Sequence, residues 1–393
     1  MQSFLQLVAH DLYAKIGNDL SRTALIFPNK RANLFFNEYL AGESDQPIWS
    51  PAAMSISDLF QKLSVQKSGD PIRLVCELYK VFKEETQSQE TLDDFYFWGE
   101  LLISDFDDVD KNMVDADKLF SNLQDLKNLM DDYEFLDKEQ EEAIQQFFQN
   151  FSIERRTALK EKFISLWDKL GTIYHRYREN LTELGIAYEG MLYRNVIEQL
   201  NTDQLKYDKY IFVGFNVLNK VENEFFRKLK DAGKALFYWD YDIFYTQQIR
   251  KHEAGEFLKR NLGEFPNELP ESFFDTFKEP KKIRYMSAPT ENAQARFLPE
   301  WIKMITDNHS QIAEEKEKEN AVVLCNEALL LPVLHSIPQE VKNVNITMGF
   351  PLAQTPVYSF INAAMELQTN GYRSDTGRFT YEAVSAILKH PYT

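Results

Sequence analysis

The chain opens on an apolar repeat of helical period. In MQSFLQLVAHDLYAKIGNDL the apolar residues return every three or four positions, which predicts an amphipathic helix. The stretch has no basic start, no long apolar centre and no small-residue cleavage site, so it does not read as a signal peptide. TALIFP (23–28) follows as a short continuous apolar run, the pattern of a buried strand, and NKRANLFFNEYL (29–40) as a helix with Leu34, Phe35, Tyr39 and Leu40 at helical spacing. ISDLFQKLS (56–64) and PIRLVCELYKVFKEE (71–85) are predicted helices, the second opened by Asp70 as N-cap with Pro71 in the first position.

From 91 to 204 the period stays helical, with predicted helices at 91–106, 113–133, 138–151, 155–180 and 186–200. No proline occurs between Pro71 and Pro266 and no strand pattern appears, so the stretch reads as an all-helical insertion. Strands resume with YIFVGF (210–215), a helix at 219–232 and ALFYWDYD (235–242). Strand, helix and strand in that order are a doubly wound unit, in which function gathers beyond the carboxyl ends of the strands. A polar, proline-containing linker at 263–282 leads to a second unit. That unit begins with KIRYMSAP (282–289) and a helix from Glu291 to Thr306, then a charged loop, AEEKEKEN (313–320), and the strand AVVLC (321–325). A helix at 327–335, the segment VNITMGFP (344–351) with a turn at Gly349-Phe350-Pro351, and helices at 356–368 and 380–389 complete it.

Composition narrows the class. At 393 residues, two or three domains are expected, and 44% hydrophobic with 14% aromatic residues argues against disorder. No apolar run approaches the roughly 18 residues that span a bilayer, so a soluble, cytoplasmic protein without a membrane partner is expected. Cys76 and Cys325 are the only cysteines, have no metal-ligand spacing, and are expected in the core. The six histidines are scattered, and there is no Gly-x-Ser-x-Gly nucleophile elbow. A net charge of −17 at first argues against nucleic acid, but residues 84–142 hold 20 acids against 4 lysines. The remainder is nearly balanced and can carry a local basic groove. The acidic helices themselves fit a soluble surface, a face that repels DNA, or a site for a basic partner.

The order of segments is informative as a whole. A strand running into FPNKRANLFF, a large helical insertion, a strand with VGFN, a strand with YWDYD, then SAPTENAQARF, AVVLCNEALLLPVL and VNITMGFPLAQTP resembles the superfamily I helicase-like subunits of AddAB/RecBCD-type helicase–nucleases. The nearest resemblance is to AddB-like proteins, inactivated helicases that carry a PD-(D/E)XK nuclease domain. It implies an α/β fold of RecA-like (P-loop NTPase-type) helicase domains with a large all-helical insertion. Residues 1–85 and 205–280 would form the first, inactivated domain, 86–204 the helical insertion, and 281–393 the start of the second, an N-terminal portion without the nuclease.

An active motor of this group needs a Gly-rich loop ending in Gly-Lys-Ser/Thr to hold phosphates; here Gly233-Lys234 is followed by Ala235. It also needs acids after the central strand, one on the metal and one near the attacking water. Gly214, Phe215 and Asn216 stand there instead, a degenerate nucleotide site. Glu314-Glu315-Lys316 fits the short nuclease tripeptide but lies in a charged run and reads as a solvated loop. No catalytic residue, metal ligand or cofactor is therefore expected in this chain.

The resemblance further implies DNA contact by Asn29, Lys30, Arg31 and Asn33, where a strand ends and a helix N-terminus favours phosphate. It also points to Trp239 and Tyr241 as stacking platforms for bases, beside Asp240 and Asp242. The usual Gly-Asp-x-x-Gln wording is absent there, so nucleotide coupling is not expected. The function expected is a non-hydrolysing, helicase-like DNA-binding scaffold in double-strand-break repair and recombination. Its partners would be DNA, single-stranded or at duplex ends, and an ATP-hydrolysing helicase–nuclease subunit. Two alternatives stand beside it: an active ATP-dependent helicase or exonuclease subunit, and a protein-interaction module without DNA contact.

Overall fold

Four short apolar runs become the strands of one sheet. The computed structural model describes residues 2–120, 156–246, 253–305 and 320–393. They fall into two compact units, Met1–Pro280 and Lys281–Thr393. In the first unit, strands β1 (Thr23–Phe27), β2 (Ala52–Ser55), β5 (Lys209–Val213) and β6 (Ala235–Tyr238) lie in the order β2-β1-β5-β6, every pair parallel. Two short strands, β3 (Lys67–Ser68) and β4 (Ile186–Ala187), pair separately. The fold is thus α/β, as the alternation of apolar runs and helical periods predicts.

The longer helices of this unit among the described residues are α1 (Phe4–Ile16), α2 (Ala32–Ala41), α3 (Ile56–Leu63), α4 (Pro71–Thr86), α5 (Leu92–Lys111), α6 (Arg156–Glu183), α7 (Glu189–Gln199), α8 (Lys220–Asp231) and α9 (Glu253–Glu264). Local chemistry fixes their starts. The Asp70 carboxylate accepts from the N–H groups of Ile72 and Arg73 at 3.1 and 3.2 Å, with Pro71 first in α4, as expected. Ser55–Asp58 and Asn219–Glu222 form capping boxes that satisfy orphan donors at the starts of α3 and α8.

Strand residues alternate between two apolar clusters. Leu25, Phe27, Ile211, Val213 and Tyr238 pack under α1 and α2, against Val8, Leu12, Phe36 and Leu40. Ala24, Ile26, Phe212 and Phe237 face the other way, onto Phe60, Phe225 and Phe226 of α3 and α8. Both faces are covered, which is why these strands read as unbroken apolar runs. The second cluster continues without interruption into the helical segment, through Leu78, Phe95, Phe106, Tyr177 and Met191.

A buried carboxylate ties that segment together. Asp110, at the end of α5, accepts from the hydroxyls of Tyr174 (2.6 Å) and Tyr188 (2.5 Å), and from the guanidinium groups of Arg178 and Arg194. Burial, reinforced by Asp110, pushes the Tyr174 phenol up to about 12 and raises that of Tyr188 well above the ordinary tyrosine range, so both stay protonated donors. Close by, α5 and α7 approach so tightly that a Cβ on Gly190 would lie 2.3 Å from the Asp107 carbonyl oxygen.

Several expectations are corrected. The stretch 91–204 is not wholly helical, since Ile186–Ala187 pairs with Lys67–Ser68; two residues leave no periodic trace. The helix expected at 138–151, most of that at 113–133, and Glu314–Lys316 lie outside the described residues.

In the second unit the helix expected from Glu291 to Thr306 is broken into α10 (Glu291–Arg296) and α11 (Leu298–Ile305), with Pro299 lacking a donor at the break. With α12 (Leu330–Ser336) these gather a small core of Ala295, Leu298 and Val333. Helices α13 (Pro356–Thr369) and α14 (Tyr381–Leu388) flank a hairpin of β7 (Tyr372–Arg373) and β8 (Arg378–Phe379) that the sequence pattern did not announce. Residues 321–325 form no strand, and Cys325 is exposed rather than buried, because an apolar run becomes a strand only where a neighbour accepts its ladder. Cys76 is half-buried.

Two substitutions test the interlock in the first unit. Gly190→Ala should destabilise by about 1–3 kcal/mol through overpacking. Asp110→Ala should cost about 3 kcal/mol or more by leaving two buried phenols and two half-buried guanidinium groups without the carboxylate they share. Urea unfolding midpoints at unchanged slope would measure both.

Candidate nucleic-acid interface

Strand β1 has β2 on one side and β5 on the other, so the chain's direction of travel across the sheet reverses between β1 and β5. A crevice opens outside the carboxyl ends of strands at such a point. Its walls here are the loop from Pro28 to Arg31, after β1, and the loop from Gly214 to Asn219, after β5.

On the first wall, the Asn29 side-chain oxygen accepts from the N–H groups of Arg31 (3.1 Å) and Ala32 (3.2 Å), closing the turn that leads into α2. Lys30 is exposed and reaches Asp58 Oδ1 in the first turn of α3 at 3.0 Å. The Ser55 hydroxyl, then Lys30, hold the Asp58 carboxyl below its usual range. Arg31 is exposed, and its guanidinium has no partner among the described residues. The Asn33 side-chain oxygen is the one buried side-chain polar atom among the described residues with no hydrogen-bond partner.

The phase of α2 differs from expectation. Leu34, Phe35, Tyr39 and Leu40 read as its apolar face, but Phe36 and Leu40 face the sheet, while Leu34 is 69% exposed and Phe35 is also turned outward. Residues 31, 34 and 35 stand at spacings of three and four, so Arg31, Leu34 and Phe35 share one outward face. This pairing of a free cation with an exposed ring was missed from the sequence. Its only signal is that Leu34-Phe35-Phe36 is a longer apolar run than one face of a helix can bury.

The second wall carries no acid in its first turn. Gly214 has φ +73°, a left-handed conformation suited to glycine, and its N–H donates to the Tyr238 carbonyl at 2.9 Å. Phe215 turns into the core, edge-on to Phe226 with ring centres 5.4 Å apart. Asn216 is exposed, and its carbonyl accepts from the buried Asn261 amide at 2.6 Å.

Beyond β6 the stacking role expected of Trp239 is corrected. Trp239 is 1% exposed, lies parallel to Phe237 with centres 6.1 Å apart, and donates its indole N–H to the Phe265 carbonyl at 2.9 Å. Alternation carried one residue past the strand points Trp239 to the same buried face as Phe237, so no base can reach it. Tyr241 is half-buried, with one ring face stacked on Phe274 at 4.5 Å. Asp242 is a loop staple: burial pushes its carboxyl up, but the N–H groups of Phe244, Phe277 and Thr276, at 2.8–2.9 Å, together outweigh burial and hold it low. Asp240 sits at the surface, yet the protein crowding its carboxyl raises its pKa.

Compared with known protein-family models and with curated proteins, the sequence matches none.

Trp239→Phe should cost about 1–2 kcal/mol, for a lost hydrogen bond and buried area, and leave oligonucleotide affinity unchanged. The pH dependence of Asp242 has a definite sign. Its folded pKa is depressed, so its stabilisation is complete above the ordinary carboxylate range and is lost as pH falls below about 4. The stability gap between the native protein and Asp242→Asn should therefore be largest near neutrality and close in acid, as urea titrations at stepped pH would read.

Proposed function

We propose that this chain is a non-hydrolysing nucleic-acid-binding scaffold of the RecA-like, helicase-derived kind. It holds DNA, single-stranded or at duplex ends, along the carboxyl edge of its sheet, and works beside an ATP-hydrolysing helicase–nuclease subunit in double-strand-break repair. The observation that carries this reading is the asymmetry of the crevice. One wall presents a cation without a partner and an exposed ring on one helix face; the other turns Phe215 inward where hydrolysis would require a metal-holding acid.

The parallel sheet and its reversal between β1 and β5 support the fold assignment. Phosphates are attracted to Arg31 and Lys30, the latter shared with Asp58, and bases to Phe35, since stacking on an aromatic face tolerates any sequence. The local balance of charge matters more than the total, because phosphate contacts lie within about a Debye length of their partners.

Anisotropy of a fluorescein-labelled oligothymidine, titrated between about 50 and 200 mM salt, tests the reading. Lys30→Glu with Arg31→Glu should weaken binding and flatten the log–log salt slope by about 1.4, two single-strand contacts' worth. Asp58→Asn should tighten binding by releasing Lys30. Absence of salt-dependent binding would favour a protein-interaction module, and oligonucleotide-stimulated ATP hydrolysis would favour a working motor; either result overturns the proposal.

A further inference from the structure

Away from the crevice, α5 has a second apolar face. Its inward face is already occupied: Phe95, Phe106 and Val109 are buried, and a Cβ on Gly99 would lie 2.9 Å from Val75. Its outward face runs Asp94, Phe97, Trp98, Leu101, Asp105, Asp108 at helical spacing. Phe97, Trp98 and Leu101 are 67%, 47% and 45% exposed, and the two aromatic rings meet edge to face with centres 5.7 Å apart. A solvent-facing helix surface does not need three large apolar groups on neighbouring positions of one face.

The surrounding charge is of one sign. Asp93 and Asp94 lie at one end of the stripe, Glu100 beside it, and Asp105 and Asp108 at the other end. Among the described residues no lysine or arginine forms an ion pair with Asp93, Glu100, Asp105 or Asp108. The one cation of α5, Lys111, is held by Asp107 at 2.7 Å and Glu189 at 2.6 Å. Burial, and then the neighbouring Asp108, raise the Asp105 carboxyl, as expected for like charges that lack a counter-ion.

We infer that this face docks a basic amphipathic helix of a partner protein. The partner's apolar stripe covers Phe97, Trp98 and Leu101, and its lysines and arginines meet the acids at both ends. From Asp94 to Asp108 the stripe is about 21 Å long, some four helical turns, which a partner helix of similar length matches. The sign of the charge excludes nucleic acid. A second copy of this chain docking by the same face would set acid against acid. The inference stands independently of nucleic-acid binding in the crevice, which lies on other elements.

The test uses the full chain and a fluorescein-labelled synthetic helix of leucine and lysine at heptad spacing, with the leucine–glutamate counterpart as control. The lysine peptide should bind and the glutamate peptide should not. Phe97→Ala with Leu101→Ala should weaken binding tenfold or more, as loss of apolar anchors at an interface centre does. Asp105→Asn with Asp108→Asn should slow association and flatten its salt dependence. All four positions face outward, and an unchanged far-UV circular dichroism spectrum would show the fold retained. Equal binding by the Phe97→Ala, Leu101→Ala variant would reduce the association to general attraction toward a chain of net charge −17 and overturn the inference, as would no binding at all.

Discussion

Parallel pairing of β1 with both β2 and β5 is the constraint from which the first unit follows. Parallel neighbours cannot be joined by a tight turn, so each strand must return through a crossover, and helices then cover both faces of the sheet. Because successive strands are added on opposite sides of β1, the chain leaves β1 and β5 toward opposite faces of the sheet, to α2 on one and α8 on the other. The positions of Arg31, Phe35 and Phe215 are consequences of that single reversal. Each is fixed by backbone that the buried sheet holds in place.

The helical segment is bound to this sheet by a continuous apolar cluster and by a polar hub that could exist only inside it. An aspartate without solvent is costly unless every lone pair is used. Asp110 meets the condition with two phenols and two guanidinium groups drawn from α6, β4's neighbour Tyr188 and α7. Four partners from three parts of the chain, α6, Tyr188 and α7, converging on one carboxylate specify how those parts are arranged more strictly than apolar packing does. The absence of a side chain at Gly190 then lets α7 close onto α5.

Much of this arrangement is legible in the sequence. Continuous apolar runs mark β1 and β5 because strands covered on both faces have no polar side to show, and Asp70-Pro71 announces the start of α4 through donor chemistry that needs no tertiary context. The misreadings share a cause: each depends on what lies opposite. The phase of α2 is set by the sheet beneath Phe36 and Leu40, and Leu34-Phe35-Phe36 fits two phases equally well. Trp239 reads as a surface aromatic beside acids until the alternation of β6 is extended by one residue. Residues 321–325 have strand composition without a neighbour to pair with. The exposed stripe on α5 was hidden for a related reason, since a helix apolar on two faces looks in sequence like one that is merely hydrophobic.

The turn from Gly214 to Phe215 has an evolutionary corollary. Exchanging Phe215 for an acid would drive a charge into the aromatic cluster around Phe226, and exchanging Gly214 would force a side chain into a left-handed backbone beside the Phe4 ring. Neither site accepts a carboxylate by one step. A route to an acidic loop through either of these two positions passes through proteins that fold less well than the starting one, so exposed Asn216 is the position of the three where an acid costs the fold least.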